Sequence, residues 1–216
     1  MGKTAYDAMR LREKRLDSLP DAVVYPAKTE EVEAIVAYCT KEKIPLYVYG
    51  GGSSVTMGVE PVNGGISLDM RLRFNEVVSF NETDQTITVQ AGMSGPKLEK
   101  ILNNAQTVFG AGRAYTCGHF PQSFEYSSVG GWVVTRGAGQ NSTYYGCITD
   151  IVLSQKYATP IGNIQTSHYP REATGPNLNQ IMMGSGGGFL GVLTEVTLKV
   201  FRYMPENRKT FSPIFF

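Results

Sequence analysis

The residues best placed for chemistry form a glycine and serine loop at positions 49–58, Tyr-Gly-Gly-Gly-Ser-Ser-Val-Thr-Met-Gly. The three successive glycines at 50–52 lack a Cβ, so the backbone can adopt positive φ and a ligand can approach its N–H groups closely. Ser53 and Ser54 add hydroxyl donors without charge. Such a loop is typical of a phosphate site built from neutral donors. Taken alone, it is equally typical of a flexible surface turn.

The loop differs from the best-known phosphate-binding and nucleophile motifs. A dinucleotide fingerprint needs a third glycine where Val55 stands, and an acidic residue about 20 residues further on. Asp69 is the nearest acid, and Pro61 breaks any helix between the loop and that residue. A P-loop needs a lysine after a glycine cluster, and none of the clusters has one. Ser127 and Ser128 have no nearby histidine and no G-x-S-x-G elbow. A nicotinamide Rossmann site, nucleotide triphosphate hydrolysis and a serine nucleophile are therefore all disfavoured.

The composition indicates a globular protein of one domain or two closely packed halves. Of 216 residues, 42% are hydrophobic and only 18% are charged, so the chain can bury a substantial core. The net charge of +1 without a basic run argues against nucleic acid or an anionic membrane as partner. Neither the three cysteines nor the two histidines (Cys39, Cys117, Cys147, His119, His168) have metal-ligand spacing, and free thiols are expected.

No apolar run approaches the ~20 residues that span a bilayer, and residues 1–15 lack the apolar core of a signal peptide. We therefore expect no transmembrane segment and a cytoplasmic protein. The chain ends in the apolar sequence Phe-Ser-Pro-Ile-Phe-Phe at 211–216, which suggests truncation.

The glycine loop follows a predicted strand, helix, strand unit. Residues 22–25 read as extended, and Thr29 is predicted to cap a helix whose apolar face repeats from Val32 at helical spacing. Residues 44–49 are rich in β-forming side chains and predict the second strand. In a parallel unit of this kind the loop lies at the carboxyl end of a strand, where α/β folds usually bind ligands.

The remaining pattern predicts further elements around a long aperiodic stretch at 110–146, which is too apolar for a linker and favours a binding surface. The other predicted elements are a helix within 1–19, strands at 65–69, 77–80 and 86–90, a helix from Pro96, a short helix at 129–136, a strand at 148–158 with a hairpin turn at Gly162-Asn163 and a return at 164–167, a short helix capped by Asn177, and an alternating strand at 192–203.

Five segments in a fixed order carry a resemblance to a known family: 26–36, 50–55, 121–132, 173–176 and 191–198. On these segments the chain resembles the FAD-binding (PCMH-type) domain of vanillyl-alcohol-oxidase-type flavoproteins, the fold shared with D-lactate dehydrogenases and glycolate oxidase. Within that superfamily it is most similar to the alkylglycerone-phosphate synthase branch. The similarity covers nearly the whole chain.

The resemblance implies an α+β fold with two α/β subdomains and FAD held between them. The first, about 20–90, contains the small parallel βαβ unit, and the second, about 91–205, contains a larger mixed or antiparallel sheet with helices. In such flavoproteins a following cap domain supplies most substrate-binding and acid–base side chains. That domain is expected to lie outside this chain, so no catalytic residue is assigned within it.

The resemblance also implies which residues hold the cofactor. The first glycine loop would hold the pyrophosphate, and a side chain at Gly51 would then enter the pyrophosphate position. Segments from 121 to 139 would line the flavin and ribityl side, and the last glycine cluster would complete the adenine end. Trp132 is expected in the core instead. The implied contacts are Tyr49, Gly50, Gly51, Gly52, Ser53, Ser54, Val55, Pro121, Gln122, Ser123, Ser127, Gly130, Gly131, Thr135, Arg136, Gly137, Gly139, Gly184, Ser185, Gly187, Gly191 and Val192.

The chain departs from the family pattern in two places. Gly186 stands where the family usually has an acidic residue, and the segment is one residue longer, so a more flexible loop is expected to bind FAD less tightly there. The first glycine loop has no histidine of the kind that tethers FAD in some relatives. The resemblance therefore implies non-covalent FAD.

Two functions follow. The first is the FAD-binding domain of a flavoenzyme that oxidises a 2-hydroxy acid or alcohol, or that exchanges an alkyl group as the synthase branch does. The full-length protein would then take a small-molecule substrate and could be a homodimer. The alternative is an FAD-binding or interaction module without independent catalysis.

Overall fold

A computed structural model describes residues 4–15, 18–166, 169, 175–184 and 188–204. The fold is α+β, as expected, with one small parallel sheet and one larger antiparallel sheet. The helices are α1 (Ala5–Arg12), α2 (Thr29–Glu42), α3 (Gly95–Asn103), α4 (Ala105–Phe109), α5 (Val129–Val134), α6 (Ser142–Tyr145), α7 (Ile148–Ile151) and α8 (Leu178–Met182). The strands are β1 (Ala22–Val24), β2 (Leu46–Tyr49), β3 (Ile66–Asp69), β4 (Val77–Asn81), β5 (Thr86–Gln90), β6 (Tyr115–Thr116), β7 (Val152–Thr159), β8 (Gly162–Gln165), β9 (Val192–Lys199) and β10 (Phe201–Arg202).

The small sheet confirms the predicted parallel unit and places the glycine loop at its carboxyl edge. Its strand order is β1-β3-β2, so β3 lies between the two strands that flank α2. Tyr49 at the end of β2 pairs with Asp69 at the end of β3. The loop therefore begins where two parallel strands end together.

Helix α2 joins the two sheets. Its buried residues Val32 and Val36 share one apolar cluster with Leu68 of the small sheet and Val192 of the large one. The prediction that Thr29 caps this helix is wrong. The chain is still extended at Lys28, which is the N-cap, and Thr29 is the first helical residue. The Glu31 carboxylate accepts from the Ala27 N–H at 2.7 Å, which ties down the chain entering the helix.

The large sheet has the order β4-β5-β9-β7-β8, and β9 lies at its centre. The predicted strand there is confirmed, but the predicted alternation is wrong, since all residues of β9 except Glu195 and Lys199 are buried. Helices pack on both of its faces, with α5 contributing to one core cluster and α2 to the other. A strand covered on both faces has no reason to alternate.

Three predicted boundaries differ in the structure. Residues 148–158 begin with the short helix α7, because the Asp150 carboxylate accepts from the Cys147 N–H at 2.8 Å and caps a turn before β7 starts. The hairpin turn is at 160–161, and Gly162 already pairs with Thr159. Proline at 160 has no N–H for the ladder and fits the turn. The strand predicted at 192–203 is interrupted at Val200, and β10 pairs with β6 instead.

The strands divide between the sheets after Asp69. Strands β4 and β5 come before residue 90 in sequence, yet β5 pairs with β9 along its whole length and belongs to the large sheet. Within the described ranges, no helix is both long and apolar enough to cross a membrane.

Shortening a buried side chain at the centre of the large sheet should lower the stability of the domain. Val196 is fully buried, so Val196→Ala should lower the free energy of unfolding by roughly 1–3 kcal/mol through lost burial and a residual cavity. Val78→Ala, on the edge strand β4 with its side chain 51% exposed, is the control and should change stability by less than about 0.5 kcal/mol. Urea unfolding of the two variants measures both, and equal effects would contradict the central position of β9.

Candidate functional site

A groove of about 680 Å³ runs between the glycine loop and helix α5. The predicted contacts that line it come from two stretches of the chain, 50–55 and 121–137, which the fold brings together. They are Gly50, Gly51, Gly52, Ser53, Ser54, Val55, Pro121, Gln122, Ser123, Ser127, Gly130, Gly131, Thr135 and Gly137.

The glycine loop packs directly against the chain that leads into α5. A Cβ on Gly51 would collide with the Tyr126 carbonyl oxygen and lie 2.6 Å from Ser127 Cα. A Cβ on Gly50 would collide with the Ser128 hydroxyl. The expectation that a side chain at Gly51 would enter a ligand position is therefore wrong: it would instead push the two halves of the site apart. Close backbone approach is what requires glycine here.

The backbone donors of the loop are available to a ligand. In the part of the chain that the structure describes, the N–H groups of residues 50–54 donate to no protein acceptor, although Gly51 and Gly52 are buried. A buried N–H without a partner is rare in folded proteins. Successive N–H groups without a protein acceptor in one loop are the kind of donor set that suits an anion.

Segment 121–128 forms the opposite wall and is held by its own hydrogen bonds. The Ser127 N–H and hydroxyl both donate to the Ser123 carbonyl oxygen at 2.8 Å. The Trp132 indole N–H donates to Ser127 Oγ at 2.7 Å. Trp132 is buried and stacks near Phe124, so its expected core role is observed, and it also lines the groove.

The N-terminus of α5 is already satisfied by the protein. Gly130 donates to the Ala91 carbonyl at 2.7 Å, and the Ser128 hydroxyl caps the Gly131 N–H. A Cβ on Gly130 would lie 2.8 Å from Ala91 O, whereas a Cβ on Gly131 has only Ser128 Oγ within 4 Å, at 3.4 Å. Gly130 thus serves helix packing, and Gly131 keeps the helix face open toward the groove.

The remaining predicted contacts that the structure describes do not line the groove. Arg136 donates to the carbonyl and side-chain oxygens of Gln180, at 3.2 and 2.9 Å. A Cβ on Gly184 would meet the Arg136 side chain, at 2.6 Å from its Cδ. Gly139 packs on the Phe120 backbone in the same way, with Phe120 N at 2.8 Å. These glycines are explained by contacts within the chain.

The other three predicted positions are explained in a similar way. The Tyr49 ring packs against Gly52, whose φ is +66°, and it faces a neighbouring cavity. Gly191 approaches Ala158 and Thr159 of β7, and Val192 belongs to the cluster around α2. Ser185 and Gly187, with Gly186 between them, lie outside the described residues.

Several residues line the groove that the sequence analysis did not assign to it. Ser128 could have been found, because it is adjacent to the assigned Ser127. Val48, Ala91 and Leu193 could not, because they line the groove only through the pairing and packing of the strands, which no local sequence pattern indicates. The additional lining residues are Thr4, Ala5, Val48, Thr56, Gly58, Val59, Met70, Ala91, Tyr126, Ser128, Trp132, Val134 and Leu193.

No charged side chain lines the groove within the described residues. Its polar atoms belong to backbone amides, hydroxyl groups such as those of Ser53, Ser123 and Thr135, and the amide of Gln122. The same part of the chain holds no cluster of three or more His, Cys, Asp or Glu side chains that could bind a metal ion. The surface can hold a long polar ligand, but it offers no carboxylate, imidazole or amine for proton transfer.

Comparison with known proteins decides the family. Residues 20–167 match the model of the FAD binding domain family, which is more than half of the chain. The chain belongs to this family of FAD-binding domains. The residues that form both walls of the groove lie inside the matched range.

Relatives of this FAD-binding domain are much longer proteins. Alkyldihydroxyacetonephosphate synthase of Caenorhabditis elegans is 36% identical over 99% of this chain and 35% of its own length. A mitochondrial cytochrome-dependent D-lactate dehydrogenase of Arabidopsis thaliana is 31% identical over 85% of this chain and 30% of its own. A solved alkyldihydroxyacetonephosphate synthase superposes with a TM-score of 0.83 at 35% identity, over 94% of this chain and 35% of that one. The chain therefore spans about a third of these relatives.

His119 lies behind the groove rather than in it. Its side chain is buried and packs edge-on against Trp132 at 4.9 Å, and neither ring nitrogen has a hydrogen-bond partner within the described residues. Burial lowers the pKa of His119 from 6.5 to about 4, so the folded domain keeps the ring neutral.

This burial should make the domain sensitive to acid. Between pH 6.5 and about 4 the unfolded chain takes up the proton and the folded chain does not, so stability falls as pH falls through that window, by up to about 3 kcal/mol from this residue. His119→Phe keeps a ring beside Trp132 and removes the proton site. Urea unfolding at pH 7 and pH 4.5 should show a smaller loss for the variant, and equal losses would contradict the prediction.

The two neighbouring glycines of α5 should respond in opposite ways. Gly131→Ala should raise the free energy of unfolding by roughly 0.5–1 kcal/mol, because alanine favours a helix and the new methyl group has space. Gly130→Ala should lower it by about 1–3 kcal/mol because of the clash with Ala91. Thermal unfolding of both variants is the measurement. A destabilised Gly131→Ala would show that this helix face is not open.

Proposed function

We propose that the groove binds FAD non-covalently, with the diphosphate on the N–H groups of residues 50–54. The observation that carries this proposal is that the N–H groups of residues 50–54 have no protein acceptor among the described residues, in a groove whose described lining contains no charged side chain. These donors suit phosphate oxygens, and the family match supports FAD as the ligand. Since no histidine or cysteine lines the groove in the described chain, no such side chain is in place for a covalent link.

The remaining contacts follow from which surfaces are open. Pro121, Gln122 and Ser123 form one wall, and the open faces of Gly131 and Gly137 form the other; a Cβ on Gly137 would have His119 Nε2 as its nearest neighbour, at 3.5 Å. The hydroxyl groups of Ser127 and Thr135 already donate to the carbonyl oxygens of Ser123 and Gly131, so toward a ligand they can serve only as acceptors. Gly184, Ser185, Gly187, Gly191 and Val192 stay a proposal for the adenine end. When bound, FAD supplies the redox chemistry, and the domain supplies position and exclusion of water.

For the parent protein we propose a flavoenzyme. The relatives named above suggest one of two reactions. The D-lactate dehydrogenase suggests oxidation of a small 2-hydroxy acid or alcohol, and the alkyldihydroxyacetonephosphate synthases suggest exchange of an alkyl group. A small-molecule substrate, a homodimer and a cytoplasmic location complete this proposal. The domain division proposed for the chain keeps about 20–90 and about 91–205 as two subdomains, with the substrate-binding part outside it.

The alternative, an FAD-binding module without independent catalysis, is favoured by one observation. The described lining of the groove contains no residue that could act as a general acid or base near neutral pH. Taken alone, the 216-residue chain should therefore hold the cofactor without turning over substrate.

FAD binding can be tested on the chain as it stands. Purified chain titrated with FAD should quench and shift the flavin fluorescence, and heat should release the flavin intact. Gly131→Ala should weaken binding by roughly five- to a hundredfold, because a methyl group fills space at the open helix face, while leaving the domain folded. Gly112→Ala, on an exposed residue that is not part of the groove lining, is the control. If the purified chain binds no FAD, the proposed cofactor is wrong.

The reaction class requires the full-length protein. Hydrogen peroxide formed under air from a panel of hydroxy acids and alcohols would support the oxidase. Exchange of a labelled alkyl chain without net oxidation would support the synthase. Neither product from FAD-loaded full-length protein would favour the binding module.

A further inference from the structure

A second cavity, of about 250 Å³, lies on the other side of the glycine loop. Ser54 and Val59 line both this cavity and the groove, so the loop forms the partition between them. The cavity is closed by α1 and by the chain at 57–61. Unlike the groove, it is lined by charged side chains.

Two of the three described arginines that line the cavity have acidic partners, and its two aspartates accept backbone hydrogen bonds. Arg10 makes an ion pair with Glu60 at 2.7 Å, and Arg15 lies 3.6 Å from Glu13. Asp7 accepts from the Thr4 N–H at 3.0 Å in the cap of α1, and Asp69 accepts from the Arg71 N–H at 2.9 Å.

Arg71 is different, because its guanidinium makes no ion pair or side-chain hydrogen bond within the described ranges. The side chain is half-buried and faces the cavity that it shares with Tyr49 and Ser54. An unpaired guanidinium in such a cavity retains its five donors for a ligand.

The strand register explains why Arg71 stands beside the loop. Tyr49 and Asp69 are paired across the parallel strands, and the Met70 N–H donates to the Tyr49 carbonyl at 3.0 Å. Gly51 and Arg71 are therefore each two residues beyond a paired position, at the same edge of the sheet. Burial raises the pKa of Tyr49, the positive charge of Arg71 lowers it, and the negative charges of Asp69 and Asp7 raise it, so Arg71 lies within electrostatic range of the residue that begins the loop.

We propose that Arg71 provides the positive charge for phosphate groups held on residues 50–54, acting from the cavity behind the loop. This inference rests on the proposed function. Loop amides supply hydrogen bonds but no net charge, and the described lining of the groove contains no cation. A diphosphate carries two negative charges, and a guanidinium nearby lowers the free energy of placing them there.

The test compares FAD affinity of the 216-residue chain and three variants at low and at physiological ionic strength. Arg71→Gln should bind FAD and ADP about three- to tenfold more weakly at low salt, and the deficit should shrink as salt screens the half-exposed charge. Arg71→Lys should retain most of the affinity. Arg73→Gln is the matched control: it removes the same charge two residues away, from an exposed side chain that donates to the Tyr25 carbonyl at 3.2 Å.

Three outcomes would overturn the role of Arg71 while leaving FAD binding in place. They are unchanged affinity in Arg71→Gln, an equal loss in Arg73→Gln, and a deficit that salt does not reduce. Matching thermal unfolding midpoints for the two glutamine variants show that folding is not the cause of a difference. A parent chain that binds neither FAD nor ADP would overturn both the inference and the proposed function.

Discussion

The site depends on one backbone contact, the approach of the glycine loop to residues 126–128. This contact joins the carboxyl edge of the small parallel sheet to the start of α5, which packs on the large sheet. It requires hydrogen in place of a side chain at Gly50 and Gly51. The loop held there lines the groove, and its N–H groups have no acceptor in the described part of the chain. Helix α2 adds polar contacts between the two sheets, since Asn163 donates to Glu33 at 2.6 Å, but the groove itself is formed by this close backbone approach.

Neutral and charged side chains lie on opposite sides of the glycine loop. Hydroxyl and amide groups line the groove, and charged side chains lie behind the loop, where Arg10 and Glu60 fasten α1 and Arg71 has no ion-pair partner among the described residues. Neutral walls suit a cofactor that must be placed accurately along its length, because no single charge dominates its position. The described lining thus offers hydrogen-bond donors and acceptors but no charged side chain.

Glycine is used for two different purposes in this chain. Gly130, Gly139, Gly184 and Gly191 allow parts of the chain to approach one another closely, whereas Gly131 leaves space on a helix face. The sequence does not distinguish the two uses, since both appear as clusters of the same residue. Only the direction of the absent Cβ, toward protein or toward open space, separates a packing glycine from one that a ligand can contact.

The sequence by itself determined the parallel unit before the loop, because periodicity and strand-forming composition are local properties, and the resemblance of five ordered segments to a known family implied the α+β class and most of the groove segments. Tertiary structure decided the rest. It placed β3 between β1 and β2, moved β4 and β5 to the large sheet, and buried both faces of β9, all of which depend on distant pairing. It also placed Arg71 behind the loop, and it directed Arg136 to Gln180 instead of the groove. The neighbours of a side chain are set by strand register and packing, which no local sequence pattern indicates.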